Sequence, residues 1–82
     1  MEQQQVFDKV IAILKPFVKA PEALATVSMG SFIVKDLKVN SARLVDVVLE
    51  IEDTFGIAVA DADADKVKTV GDAVNLIVKS KS

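Results

Sequence analysis

The chain has 82 residues, enough for a single small domain spanning 1–82 that buries about 60–65% of its unfolded surface. Its 51% hydrophobic and 27% charged residues suit a globular fold, and with no His and no Cys it has no Ser-His or Cys-His nucleophile pair, no zinc cage and no disulfide. The net charge of −2 conceals seven carboxylates against one base, Arg43, in residues 41–65. That middle third disfavours nucleic acid, whose phosphates require Lys and Arg, and favours a basic protein partner.

Met1-Glu2-Gln3-Gln4-Gln5 is polar, unlike the start of a signal peptide. No run approaches the roughly 18 apolar residues of a membrane span. The chain is therefore expected to be cytoplasmic, and its lack of Cys is compatible with a reducing compartment. In the first segment Phe7, Val10, Ile11 and Leu14 form a buried helical stripe, widened by Val6. Pro16 cannot donate to the helical ladder and restricts Lys15, so the helix ends or kinks there.

Residues 19–40 show no long period. A structureless loop of about 20 residues is unusual in a compact domain. Leu24, Val27, Phe32, Val34 and Leu37 are the candidates for pinning it, with a helical turn after Pro21.

The second helix is the clearest. Asn40 or Ser41 caps it, Leu44, Val47, Val48, Ile51 and Phe55 form its core stripe, and Gly56 stops it. Val45 and Leu49 lie beside that stripe. Asp46, Glu50 and Asp53 make an acidic ridge, with Arg43 able to pair with Asp46. Asp61-Ala62-Asp63-Ala64-Asp65 then reads as a short helix or turn capped by Asp61, its acids suited to a helix start. The last helix starts at Thr69, with Asp72 completing an imperfect capping box. Its stripe is Val70, Ala73, Val74, Ile77 and Val78. The fold class is all-α: a small four-helix bundle of three longer helices and one short one, with a long loop after the first.

The Asp-Ala repeat invites a calcium reading, but position 6 of such a loop needs Gly and holds Lys66, and position 12 needs Glu and holds Asp72. No dedicated metal site is expected. Gly30, Gly56 and Gly71 are isolated, so there is no phosphate-cradling loop. Ser41 stands out at the entry to the strongest helix. Its local role is a helix cap. The same position also exposes a hydroxyl where backbone N–H groups and the helix dipole favour an attached phosphate.

The stretch from Asp36-Leu37-Lys38-Val39-Asn40-Ser41-Ala42-Arg43-Leu44 to Glu52-Asp53-Thr54-Phe55 resembles the attachment region of acyl carrier proteins. Their usual pattern is Asp-Leu-Gly-x-Asp-Ser-Leu, followed by an acidic helix ending in Glu-Glu-x-Phe. Val59-Ala60-Asp61 is similar to the family's Ile-Pro-Asp, Thr69-Val70 to the start of its fourth helix, and Ser31-Phe32 to its Ser-Phe anchor. The resemblance implies 4′-phosphopantetheine carried on Ser41, installed by a phosphopantetheinyl transferase, with acyl groups held as thioesters on the arm. It implies a monomeric carrier rather than an enzyme. Asp46, Glu52 and Asp53 would meet the basic docking surfaces of acyl-transferring and condensing enzymes, with Val45 and Leu49 as apolar contacts.

The departures are Lys38 where Gly is common, Asn40 for Asp, Ala42 for Leu and Arg43 for an acid. They make the helix entrance less negative than in a housekeeping fatty-acid carrier. The expectation is a specialised carrier serving fatty-acid, lipid, lipopolysaccharide or polyketide synthesis. A peptidyl or aminoacyl carrier shares most of these features. An unmodified helical interaction module, with Ser41 a simple cap, is the remaining alternative.

Overall fold

A computed structural model describes residues 2–81 and shows helices and turns with no named strand among them. The four α-helices are α1 (Gln3–Leu14), α2 (Leu44–Phe55), α3 (Asp61–Ala64) and α4 (Val70–Lys81). Three 3₁₀ segments lie at Lys15–Phe17, Pro21–Thr26 and Ser41–Arg43. The four-helix arrangement and the turn after Pro21 match the sequence expectation.

In α1 the residues at i, i+4 and i+8, Val6, Val10 and Leu14, are fully buried, while Phe7 and Ile11 are half-buried flanks. The stripe centres on Val6 rather than Phe7, because α1 packs chiefly on α4 and less on α2. A five-residue apolar stripe does not reveal its own midline. Pro16 ends the helix as expected: α1 stops at Leu14 and a tight turn follows, closed by the Val18 N–H on the Leu14 carbonyl at 3.1 Å.

The long connection is pinned as expected by Leu37, Leu24 and Val27, but Ile33 and Val39 are buried where Phe32 and Val34 were the candidates. Ile33, Leu37 and Val39 are buried in the core, Leu24 and Val27 pack partly against it, and Phe32 and Val34 remain exposed. Backbone bonds fix the segment to the start of α4. Ile33 N–H donates to Lys68 O at 3.0 Å, Val70 N–H to Ser31 O at 3.0 Å, and Gly71 N–H to Met29 O at 2.7 Å. Two N–H groups that α4 leaves without helical partners are thus satisfied by the loop. A Cβ on Gly71 would lie 2.7 Å from the Met29 oxygen, so this approach requires glycine.

Val47, Ile51 and Phe55 carry the buried face of α2, which ends at Gly56 in the left-handed region, φ 65°. The Gly56 N–H donates to Glu52 O at 2.8 Å. α3 corrects one expectation: Ala60 occupies its cap position and Asp61 is its first helical residue, with no side-chain cap. Backbone bonds from Asp63 and Ala64 to the Ala60 carbonyl start this helix instead. At α4 the capping box is reciprocal. Asp72 N–H donates to Thr69 Oγ1 at 3.0 Å, and the Asp72 carboxylate accepts from Thr69 N–H at 3.0 Å and Lys68 N–H at 3.1 Å. Those backbone bonds, first that from Thr69, hold the Asp72 pKa below the ordinary carboxylate value.

Candidate functional site

The loop before α2 is held by hydrogen bonds that lead up to Ser41. The Asp36 carboxylate accepts the Phe32 N–H at 2.8 Å, and the Asp36 and Leu37 N–H groups return to Phe32 O. Leu37 and Val39 enter the core on either side of Lys38, which crosses between them at φ 58° in the left-handed region. This is the position where the acyl carrier pattern has Gly, and the backbone explains the preference.

The capping question then has an answer. Asn40 Oδ1 accepts the Ala42 N–H at 2.9 Å, and the Arg43 N–H donates to Asn40 O at 2.8 Å. Asn40 is the cap of the 3₁₀ turn that leads into α2. The Ser41 side chain takes no part: it is exposed, and its hydroxyl has no hydrogen-bond partner among the described residues. With no His in the chain, no Ser-His pair forms at that hydroxyl.

Ser41 stands on the rim of a groove of about 910 Å³ that α2 and α3 share with the loop at Phe32–Lys35. Leu44, Val48, Val59 and Val67 supply apolar wall. Its edge carries all four large hydrophobic side chains that are markedly exposed among the described residues: Val45 at 63%, Leu49 at 54%, Phe32 at 44% and Val34 at 39%. Helical spacing put Val45 and Leu49 beside the core stripe, and the resemblance made them apolar partner contacts; the structure exposes both. Phe32 and Val34 were expected inside, and their place on the rim reflects a loop whose buried positions are Ile33, Leu37 and Val39.

The carboxylates named from the sequence do different things. Asp46 is held by Arg43, with Nη1 to Oδ2 at 3.1 Å, so the ridge is neutralised at its Ser41 end. Asp53 is exposed toward the far end of α2. Glu52 lines the groove, and its Oε2 accepts the Val59 N–H at 3.0 Å, fixing the chain between α2 and α3. The helical pattern shows the face of Glu52 but not this bond seven residues downstream. Asp61, Asp63 and Asp65 are exposed on α3 and its C-terminal edge, and no group of three such side chains among the described residues could hold a metal ion.

Comparison with known proteins agrees with the geometry. A family model described as the phosphopantetheine attachment site matches residues 9–77. The chain is 36% identical over 77 residues to the acyl carrier protein of Thermotoga maritima, covering 94% of this chain and 93% of that one. It is equally identical, over 94% of its own length and 92% of the relative's, to the acyl carrier protein of Coprothermobacter proteolyticus. The solved structure of the acyl carrier protein from Enterococcus faecalis matches with a TM-score of 0.79 at 35% identity, covering 98% of this chain and 99% of that one.

Proposed function

The chain belongs to the acyl carrier protein family, whose members bear phosphopantetheine and carry rather than catalyse, and on that footing we propose that Ser41 is the attachment residue. The observation that carries this reading is the division of labour at the α2 entrance. Asn40 provides the cap, and the Ser41 hydroxyl is left exposed beside the groove. When attached, the arm supplies a thiol on which acyl groups ride as thioesters. The chain's own residues do the rest. The positive end of the α2 dipole favours the negative charge of a phosphate at Ser41. The walls made by Leu44, Val48, Val59 and Val67 take apolar surface out of water, at about 25 cal/mol per Å².

The whole chain acts as one carrier domain, supported by a single core to which α1, α2, α4 and the long loop all contribute. It is a substrate of its partners: a phosphopantetheinyl transferase, then acyl-transferring and condensing enzymes. Asp46, Glu52, Asp53, Val45 and Leu49 form the docking face. We place the protein in the cytoplasm as a monomer. In the described residues no helix is long and apolar enough to cross a membrane. A specialised pathway, rather than bulk fatty-acid synthesis, suits Lys38, Ala42 and Arg43. The Asn40 departure gives less support to an unmodified interaction module than the sequence suggests, since Asn40 Oδ1 performs the cap that an Asp at that position would perform.

The test is to incubate the protein with coenzyme A and a broad-specificity phosphopantetheinyl transferase and read the intact mass. One added arm that is lost in Ser41→Ala is expected. Absence of any increment with several transferases contradicts the proposal and favours the unmodified module.

A further inference from the structure

The charge on the face around Ser41 is split. Residues 35–46 hold three cations, Lys35, Lys38 and Arg43, and two carboxylates, both engaged. Asp36 accepts the Phe32 N–H, and Asp46 pairs with Arg43. Residues 50–65 hold six carboxylates and no cation. The exposed apolar pair Val45 and Leu49 flanks the boundary of the two. Arg43 and Asp46 share a face of the helix with Glu50 and Asp53, so a partner laid along α2 meets a guanidinium first and carboxylates beyond it. The Arg43 side chain is 64% exposed and gives Nη1 to Asp46, leaving most of its donors facing solvent.

Resting on the carrier reading above, we infer that this is a bipolar docking surface. Its partner is an enzyme with a carboxylate opposite Arg43, beside the mouth through which Ser41 is reached, and basic residues opposite Glu50 and Asp53. Arg43 is the specificity-determining residue. A wholly basic docking face matches the distal half of α2 but sets like charge against Arg43, and such juxtaposition discriminates between partners more strongly than it changes the affinity for the right one.

The probe is an acyltransferase of another carrier system chosen for an all-basic docking face, and the readout is the Kd of the unmodified protein at low salt. Arg43→Glu should bind this probe about tenfold more tightly than wild type, and Asp53→Lys about tenfold more weakly. Both differences should shrink as salt is added. Replacing the probe's lysines one at a time with glutamate should reveal one change that tightens wild type and loosens Arg43→Glu, the signature of direct coupling. Arg43→Glu removes one exposed ion pair, so its circular dichroism melt should match wild type closely. Binding that is unchanged or weaker in a folded Arg43→Glu protein overturns the split surface. Because the unmodified protein is used, that failure is separate from a failure of Ser41 to accept the arm.

Discussion

Lys38 is held at φ 58°, a conformation that costs a side-chain-bearing residue about 1–2 kcal/mol. Leu37 and Val39, both buried, fix the chain on either side and leave it no other path. Replacing Lys38 with Gly relieves the clash, and the added freedom of the unfolded chain offsets about half of the gain. Lys38→Gly should therefore stabilise the protein by roughly 0.5–1 kcal/mol in urea unfolding; a loss of stability would show that the Lys38 side chain makes a contribution of its own. The neighbouring pair shows how far sequence reaches at this scale. Asn40 and Ser41 both suit a helix start, and propensity cannot choose between them. The structure makes the choice: Asn40 Oδ1 accepts the Ala42 N–H, and the Ser41 hydroxyl accepts nothing among the described residues. Glu52 was legible as an acid on the α2 face. Its bond to the Val59 N–H depends on the path of the chain after Gly56, which periodicity does not contain.

Among the elements, α4 depends most on what precedes it. Its leading N–H groups are satisfied by Thr69, by Asp72 acting on the turn before it, and by the Ser31 and Met29 carbonyls of the long loop. The Asp72 pKa is lowered in the folded protein, so the carboxylate's stabilising effect is fully present above its unfolded value of about 4. It is lost as the pH falls through the lower folded value. Comparing melting temperatures of wild type and Asp72→Asn across pH should show a constant wild-type advantage down to about pH 4 that shrinks below it. An advantage that persists unchanged into stronger acid would contradict this account. Gly71→Ala places a Cβ 2.7 Å from the Met29 oxygen, and backbone on both sides prevents easy relief. The overpacking cost of about 1–3 kcal/mol exceeds the helix-propensity gain of about 1 kcal/mol. A lower melting temperature is expected, and a rise would mean that the loop yields at no cost. The helices themselves were readable because the 3.6-residue period repeats within each one. The long loop was not, because it repeats nothing: Ile33 and Val39 are buried through contacts with distant elements, while Phe32 and Val34, larger or equally apolar, stay outside.

For the molecule as a whole, the chain lacks His and Cys and makes a groove, a ridge and, lining that groove, the Ser41 hydroxyl, which has no partner among the described residues. The core of α1, α2, α4 and the loop holds these in register, while α3, with no fully buried residue of its own, lines one side of the groove. Opening that side exposes few buried contacts, so α3 is the element expected to move when the groove fills. The attachment pattern made the family legible from the sequence. The uneven charge along α2 was legible too, since the i, i+3 spacing puts Arg43 within reach of Asp46, and the structure forms that pair at 3.1 Å. The most direct test of the central claim is to locate the added mass after loading with coenzyme A and a phosphopantetheinyl transferase. Trypsin cuts after Lys38 and Arg43 and releases residues 39–43, in which Ser41 is the single hydroxyl-bearing residue. The arm should be found on that peptide alone; an arm on any other peptide, or an unmodified 39–43 peptide from a protein that carries the added mass, would contradict the account.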